Sequence, residues 1–281
     1  MDTAPERVSL REVAVENEAI IRIGHYDSPD GRTVRLSAMV AAARGGTVSY
    51  TPAALDDLLA AAAPGAGSTV IEVTDESSMR AARRLRAEGA TGIAVLNFAS
   101  ARSPGGGYVS GARAQEEDLC RVSALYTTLL RRPDFYTAHR ATADHLYSHR
   151  VIYSPGVPVF RDEGYRLLDE PYRVSFLTCA APNTGAIVHR NGDISGIPQI
   201  LTERAARLLA VAARHGQRTL VLGAWGCGVF RNDPIQVAAA FRASLLRPGR
   251  FAGVFERITF AILDRTPYRP TLTAFRDTFA P

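Results

Sequence analysis

Short runs of apolar and β-branched residues alternate along the chain with segments whose apolar positions recur at helical spacing. The runs fall at residues 70–73, 93–98, 174–181, 219–224 and 258–263. Each is nearly continuous in hydrophobicity, the pattern of a strand buried on both faces. Helix starts stand between them. Thr51-Pro52 offers an N-cap with proline in the first turn, and Ser77 and Ser78 precede a helix that stops near Gly89. Thr202 opens a helix ending near Gly216, Asp233-Pro234 caps another, and one more is expected from Glu116 to about Leu130. Such alternation predicts an α/β fold, a mostly parallel sheet with helices on both sides. Residues 131–173, rich in Tyr, His, Pro and Arg and poorly periodic, read as an insertion or a pair of short helices with loops. The first fifty or so residues are weakly patterned, which suggests an extension packed on the core. The expected division is therefore an N-terminal extension over residues 1–68 and an α/β domain over 69–281.

Composition narrows the class. With 281 residues, 46% of them hydrophobic, the chain can bury a sizeable core and is not a disordered polymer. All 33 basic side chains are arginine, and the net charge is +5. The missing lysine fits a coding bias, and it excludes Schiff-base chemistry and a P-loop. Cys120, Cys179 and Cys227 are odd in number and widely spaced, so neither a disulfide framework nor a zinc site is expected. The N-terminus mixes charges of both signs without an apolar stretch, unlike a signal peptide, and no run approaches the ~20 residues of a membrane span. A cytoplasmic protein without membrane contact is expected.

Two glycine-rich segments follow expected strands. Ser103-Pro104-Gly105-Gly106-Gly107 comes after Asn97-Phe98-Ala99-Ser100, and Gly223-Ala224-Trp225-Gly226-Cys227-Gly228-Val229-Phe230 precedes the Asp233-Pro234 helix start. Successive amides without side chains make a concavity suited to a diphosphate, and loops after parallel strands share the carboxyl edge where ligands bind. A glycine-rich turn without a ligand is the commoner case for either loop taken singly. Neither matches GxGxxG in a dinucleotide fold. Gln115-Glu116-Glu117, eight residues beyond the triple glycine, places two carboxylates in a first helical turn. Ordinary acidic enrichment at a helix start explains them equally well on chemistry alone.

The ordered set, Gly105-Gly106-Gly107 and then Gln115-Glu116-Glu117, resembles the signature of the bacterial-type poly(ADP-ribose) glycohydrolases, a branch of the macrodomain fold. Leu96 to Ser100, Gln115 to Arg121, Tyr153-Ser154-Pro155-Gly156-Val157, Ala181-Pro182-Asn183 and Gly223 to Pro234 extend the resemblance across residues 69–263. It implies a three-layer macrodomain-like fold with a mostly parallel mixed sheet. It further implies that Glu117 is the catalytic acid and that Glu116 holds ribose hydroxyls beside the scissile ribose–ribose bond. Gly105, Gly106, Gly107, Gly226, Cys227, Gly228 and Val229 would wrap the diphosphate, with Gln115 and Trp225 among the contacts. Asn97 would bind the distal ribose, Phe230 would pack near the terminal ribose, and Thr74, Asp75 and Glu76 would line the adenine pocket. The substrates implied are poly(ADP-ribose) and poly(ADP-ribosyl)ated proteins, cut from chain ends to ADP-ribose during reversal of ADP-ribosylation in a DNA damage response. No cofactor, metal or direct nucleic-acid contact is implied, and a monomer is expected.

Adjacent helical residues point about 100° apart, so Glu116 and Glu117 cannot flank one anomeric carbon as opposed carboxylates. One acid/base, Glu117, fits better. A helix N-terminus favours its anion, whereas bound diphosphate, Glu116 and desolvation favour the acid, so the proton is expected only in the complex. The rival readings are a binding module for ADP-ribose and a hydrolase of mono-ADP-ribosylated protein. Cys227 lacks the GxSxG-type spacing of a nucleophile elbow. His145 and His149, spaced to share a helical face, lack a third metal ligand in register. Trp225 and the Tyr-rich middle could stack bases, but no arginine cluster accompanies them.

Overall fold

The computed structural model describes residues 9–280. The first eight residues of the expected extension, and Pro281, lie outside the described residues. The chain begins with helix α1 (Leu10–Ile23), which Ser9 caps by accepting from the Glu12 amide and which ends at Gly24 in the left-handed region. A hairpin of β1 (His25–Asp27) and β2 (Thr33–Arg35) comes next, then α2 (Ser37–Gly46), β3 (Val48–Tyr50) and α3 (Pro52–Ala61). The middle of the chain holds β4 (Val70–Thr74), α4 (Ser78–Ala87), β5 (Ile93–Phe98), α5 (Gln115–Val122), α6 (Leu125–Leu129) and α7 (Pro133–Arg140). Beyond these lie β6 (Val151–Arg161), β7 (Leu167–Cys179), α8 (Thr184–His189) and α9 (Ile197–Arg214). The chain closes with β8 (Thr219–Leu222), α10 (Pro234–Leu245), β9 (Arg257–Ala261) and α11 (Pro270–Thr278).

Seven strands form one sheet in the order β3-β6-β7-β5-β8-β9-β4. The run from β7 to β4 is parallel, and β6 enters antiparallel to both β7 and β3. Alternating residues feed two cores. Ile93 and Val95 of β5 point into one and Ala94 and Leu96 into the other; Val221 of β8 joins the first and Leu220 and Leu222 the second. Helices cover both faces, and the sheet is the middle of three layers, as expected. The strand signals were continuous because both faces are buried. Among the described residues no helix is long and apolar enough to cross a membrane.

Four local expectations are corrected. Residues 151–173, expected among short helices and loops, belong to a long antiparallel hairpin over 151–179, while α7 is a short helix within 131–150. Pro155, Gly156 and Pro158 disguised it: the first two sit at a break in register between Ser154 and Val157, Pro158 pairs with Arg173, and all three lie beyond the β6 residues that β3 covers, where a strand can lack amide donors. The helix expected from Glu116 to Leu130 is two helices. Ser123 is extended between them, donating to the Leu119 carbonyl and accepting from the Leu125 amide, so one hydroxyl ends α5 and starts α6. Helix α9 begins at Ile197 with Pro198 in its first turn, and Thr202 lies inside it, bonded back to the Pro198 carbonyl. His145 and His149 lie in the coil before β6, not on a helical face. The strand β3 of the 1–68 segment is an edge of the main sheet.

Candidate active site

The parallel strands point their carboxyl ends one way, and the loops after β4, β8, β5 and β7 line that edge in spatial order. Helix α5 starts there, and Gln115 fixes its position. The Phe98 amide donates to Gln115 Oε1 at 2.9 Å, while Gln115 Nε2 donates to the Leu96 carbonyl at 2.7 Å and Ser78 Oγ at 3.1 Å. One side chain thus ties the end of β5, the start of α4 and the first turn of α5. Its role is to hold the scaffold that presents the next two residues.

Glu116 and Glu117 are buried, 3% and 8% exposed. Glu116 accepts from the Ser100 amide at 2.7 Å and from Asn97 Nδ2 at 3.1 Å. Glu117 accepts from the Gly107 amide at 2.8 Å. Glycine is required above them. A Cβ on Gly106, whose φ is +57°, would overlap Glu117 Oε1 and lie 3.3 Å from Glu116 Oε2. Gly105, at φ +65°, has the Tyr126 ring 2.7 Å from where its Cβ would stand. The triple glycine is therefore a lid of bare backbone laid on two carboxylates. This changes its expected role as an open anion cradle, because the Gly106 amide is spent on the Ser103 carbonyl and the Gly107 amide on Glu117.

Burial lifts the Glu116 carboxyl to about 8; the Ser100 amide and Asn97 oppose the rise, and the neighbouring Glu117 adds to it. A carboxyl with its folded pKa above the unfolded one stabilises the fold fully below the ordinary carboxylate range, and that contribution is lost as pH climbs through the raised value. We expect the melting temperature of the parent to fall more steeply than that of Glu116→Gln between about pH 5 and pH 8. Thermal melts across that range check it, and parallel curves would count against a protonated Glu116.

The second glycine loop is shaped by a residue outside the expected set. Asn232, buried, donates from Nδ2 to the carbonyls of Pro182 at 2.9 Å and Gly226 at 3.1 Å and accepts from Thr184 Oγ1 at 2.7 Å. Gly226 is at φ +74° with the Ala181 methyl 2.5 Å from a would-be Cβ. The Trp225 and Cys227 amides are spent on Gly223 and Ala224, whereas among the described residues no acceptor meets those of Gly226, Gly228, Val229 and Phe230. Four unspent amides in five residues suit an anion. Trp225, expected as a ligand contact, is core: its indole is 1% exposed, packs on Phe241 and donates to the Cys179 carbonyl at 2.9 Å. Burial pushes the Cys227 thiol up to about 12, with Asp233 adding, which leaves no thiolate for nucleophilic chemistry.

The Phe230 ring stands 6.1 Å from that of Tyr147, which in turn meets His139 and His145 edge-on. At the other end of the edge, Thr74, Asp75 and Glu76 lie at the end of β4 and just beyond it. Asp75 is ion-paired with Arg269 and Glu76 with Arg84, while the Thr74 hydroxyl is buried without a partner. Two further orphaned polar atoms lie beside Glu116, Asn97 Oδ1 and the Tyr136 hydroxyl. Buried groups left unpaired in the free protein are where a polar ligand gains most. Tyr136, His139 and Asn232 carry no sequence signal of their own, since it is long-range packing that brings them here.

A family model described as microbial-type PARG, catalytic domain, matches residues 14–162. The solved structure of poly(ADP-ribose) glycohydrolase from Thermomonospora curvata is 50% identical with a TM-score of 0.93, covering 97% of this chain and 100% of its own. The same enzyme bound to the inhibitor ADP-HPD superposes with a TM-score of 0.91, also at 50% identity over 97% of this chain and 100% of its own. The Deinococcus radiodurans glycohydrolase in complex with ADP-ribose is 49% identical, with a TM-score of 0.82 over 88% of this chain and 99% of its own. No curated protein matches. A matched stretch spanning more than half of the chain, two bacterial enzymes at half identity and a common three-layer fold together place this chain in the microbial-type poly(ADP-ribose) glycohydrolase family.

Proposed function

We propose that this chain hydrolyses the ribose–ribose O-glycosidic bonds of poly(ADP-ribose), releasing ADP-ribose from chain ends. The observation that carries this is the pair of buried carboxylates held against bare glycine backbone, Glu117 on the Gly107 amide and Glu116 on the Ser100 amide. A pure binding module for an anionic diphosphate gains nothing from two buried acids at that point. Glu117 donates its proton to the leaving ribose oxygen as the C1–O bond breaks and an oxocarbenium-like ribose forms. Water adds to that carbon and returns a proton to Glu117, so atoms and charge balance without a cofactor. Glu116 and Asn97 hold ribose hydroxyls, the orphaned Asn97 oxygen accepting from one of them. The unspent amides of Gly226, Gly228, Val229 and Phe230 take the diphosphate, and the loop of Thr74, Asp75 and Glu76 takes the adenine. All of these groups come from residues 69–281, which we infer to be the catalytic domain, with residues 1–68 packed onto it.

Product analysis tests the assignment. Incubation with purified poly(ADP-ribose) is expected to release free ADP-ribose while mono-ADP-ribosylated protein keeps its modification. Release from the mono-modified protein alone would make the chain a mono-ADP-ribosyl hydrolase. Tight binding of ADP-ribose with no release from either would leave a binding module.

A further inference from the structure

Along the carboxyl edge of the sheet, the adenine loop lies after β4, the amide-rich loop after β8, and the glutamates beside β5. The next strand in the same direction is β7, and of the coil seated at its carboxyl end Tyr147 meets the active site, through Phe230. Asn183, just beyond β7, donates its amide to the His145 carbonyl at 2.8 Å, which seats the coil 141–150 at that end of the edge. Arg102 reaches the same place from the loop after β5, donating from Nη2 to the Thr142 carbonyl at 3.1 Å, while Arg140 donates to the Arg102 carbonyl at 2.6 Å. Arg190, at the C-cap of α8, lies within electrostatic reach of the His145 ring.

Among the described residues neither Arg102 nor Arg190 is ion-paired, and both act on the His145 ring, whose ordinary pKa falls through burial first and then through Arg190 and Arg102. Arg102 Nε and both His145 nitrogens are shielded from solvent without a partner. Asp144, the acidic neighbour of His145, accepts from the Leu146 amide. Two unpaired guanidinium groups beside an unpartnered neutral imidazole fit a diphosphate, which offers each of them acceptors.

We infer that Arg102, His145 and Arg190 form a second diphosphate subsite, which holds the ADP-ribose unit on the far side of the scissile bond. This rests on the proposed polymer-hydrolase function. A ligand laid along the edge from β4 to β5 and continuing as a polymer must pass β7, and the diphosphate of its next unit then arrives at these three residues. The subsite engages the polymer and never touches free ADP-ribose, which ends at the bond that is cut.

The test is a split between polymer and monomer. Arg190→Gln, whose side chain has no hydrogen bond or ion pair among the described residues, is expected to raise the KM for poly(ADP-ribose) about threefold, and Arg102→Gln with Arg190→Gln about tenfold. In both, kcat and the affinity for ADP-ribose measured by calorimetry should stay within about twofold of the parent. Arg102→Lys, which keeps the charge, should recover part of the KM. An unchanged polymer KM in the double variant overturns the subsite alone. A rise in KM matched by an equal loss of ADP-ribose affinity also overturns it, because the arginines would then act on the active site itself. A parent that binds ADP-ribose yet leaves the polymer intact overturns the proposed function and the subsite together.

Discussion

Replacing Glu117 by glutamine should abolish turnover while leaving ADP-ribose bound. The substitution keeps the shape of the side chain, and its amide oxygen can still accept from the Gly107 amide, the contact that fixes the glycine loop at 2.8 Å. What it removes is the proton. A positioned general acid contributes about 10²–10⁴ in rate, so kcat on poly(ADP-ribose) should fall by about that much. The dissociation constant for ADP-ribose should move by no more than about threefold, since the diphosphate amides and the ribose contacts of Asn97 are untouched. Single-turnover hydrolysis and calorimetry on the same preparation separate the two effects. Glu116→Gln is the informative contrast. Glu116 is the carboxyl that burial lifts to about 8, so near neutral pH its neutral amide resembles the state it replaces. A larger rate loss there than at Glu117 would exchange the two roles, and near-normal turnover by Glu117→Gln would take that residue out of the chemistry.

Gly106→Ala should be almost as damaging, for a steric reason. The residue sits at φ +57°, where a side chain costs about 1–2 kcal/mol, and its Cβ would fall on Glu117 Oε1 and 3.1 Å from that carboxyl carbon. Something must move. The flexible member is Glu117, which would leave the Gly107 amide and swing away from the position that it needs. A displacement near 1 Å in a reacting group can cost about 100-fold, so kcat should drop by at least about that factor while the fold survives with a modestly lower melting temperature. Gly228→Ala provides the control: nothing stands within 4 Å of a Cβ there, and thermal stability should be unchanged. If Gly106→Ala keeps full kcat, the glycine backbone does not set the carboxylate geometry.

These two expectations use different kinds of legibility. Glu117 stands out in the chain because a Gln-Glu-Glu triplet at a helix start, eight residues after three glycines, is an unusual local string. The need for glycine was visible too, but the reason was not. Successive glycines suggested amides turned outward to an anion, whereas Gly106 and Gly107 spend theirs on Ser103 and Glu117, and the bare backbone instead makes room for carboxylates. Trp225 shows the opposite error. A lone tryptophan in a glycine loop looks like a ligand contact, yet its ring completes the core beside Phe241 because the turn folds inward toward Cys179. The hairpin β6–β7 was hidden by prolines that are tolerated only because β3 stops short of them.

What the chain alone determined is whatever depends on near neighbours. Strand β5 was bounded to the residue because both of its faces are apolar, and Thr51, Ser77 and Asp233 announced their helices because capping is a contact across two or three residues. What only the tertiary structure decided is which distant polar groups share a buried space. Gln115 on Leu96 and Ser78, Asn97 on Glu116, Asn232 between Pro182 and Gly226, and Arg102 beside His145 are pairings set by sheet order. They form because parallel strands bring their following loops to one edge, and burial then forces each polar group to find a partner in the protein or to await one in a ligand.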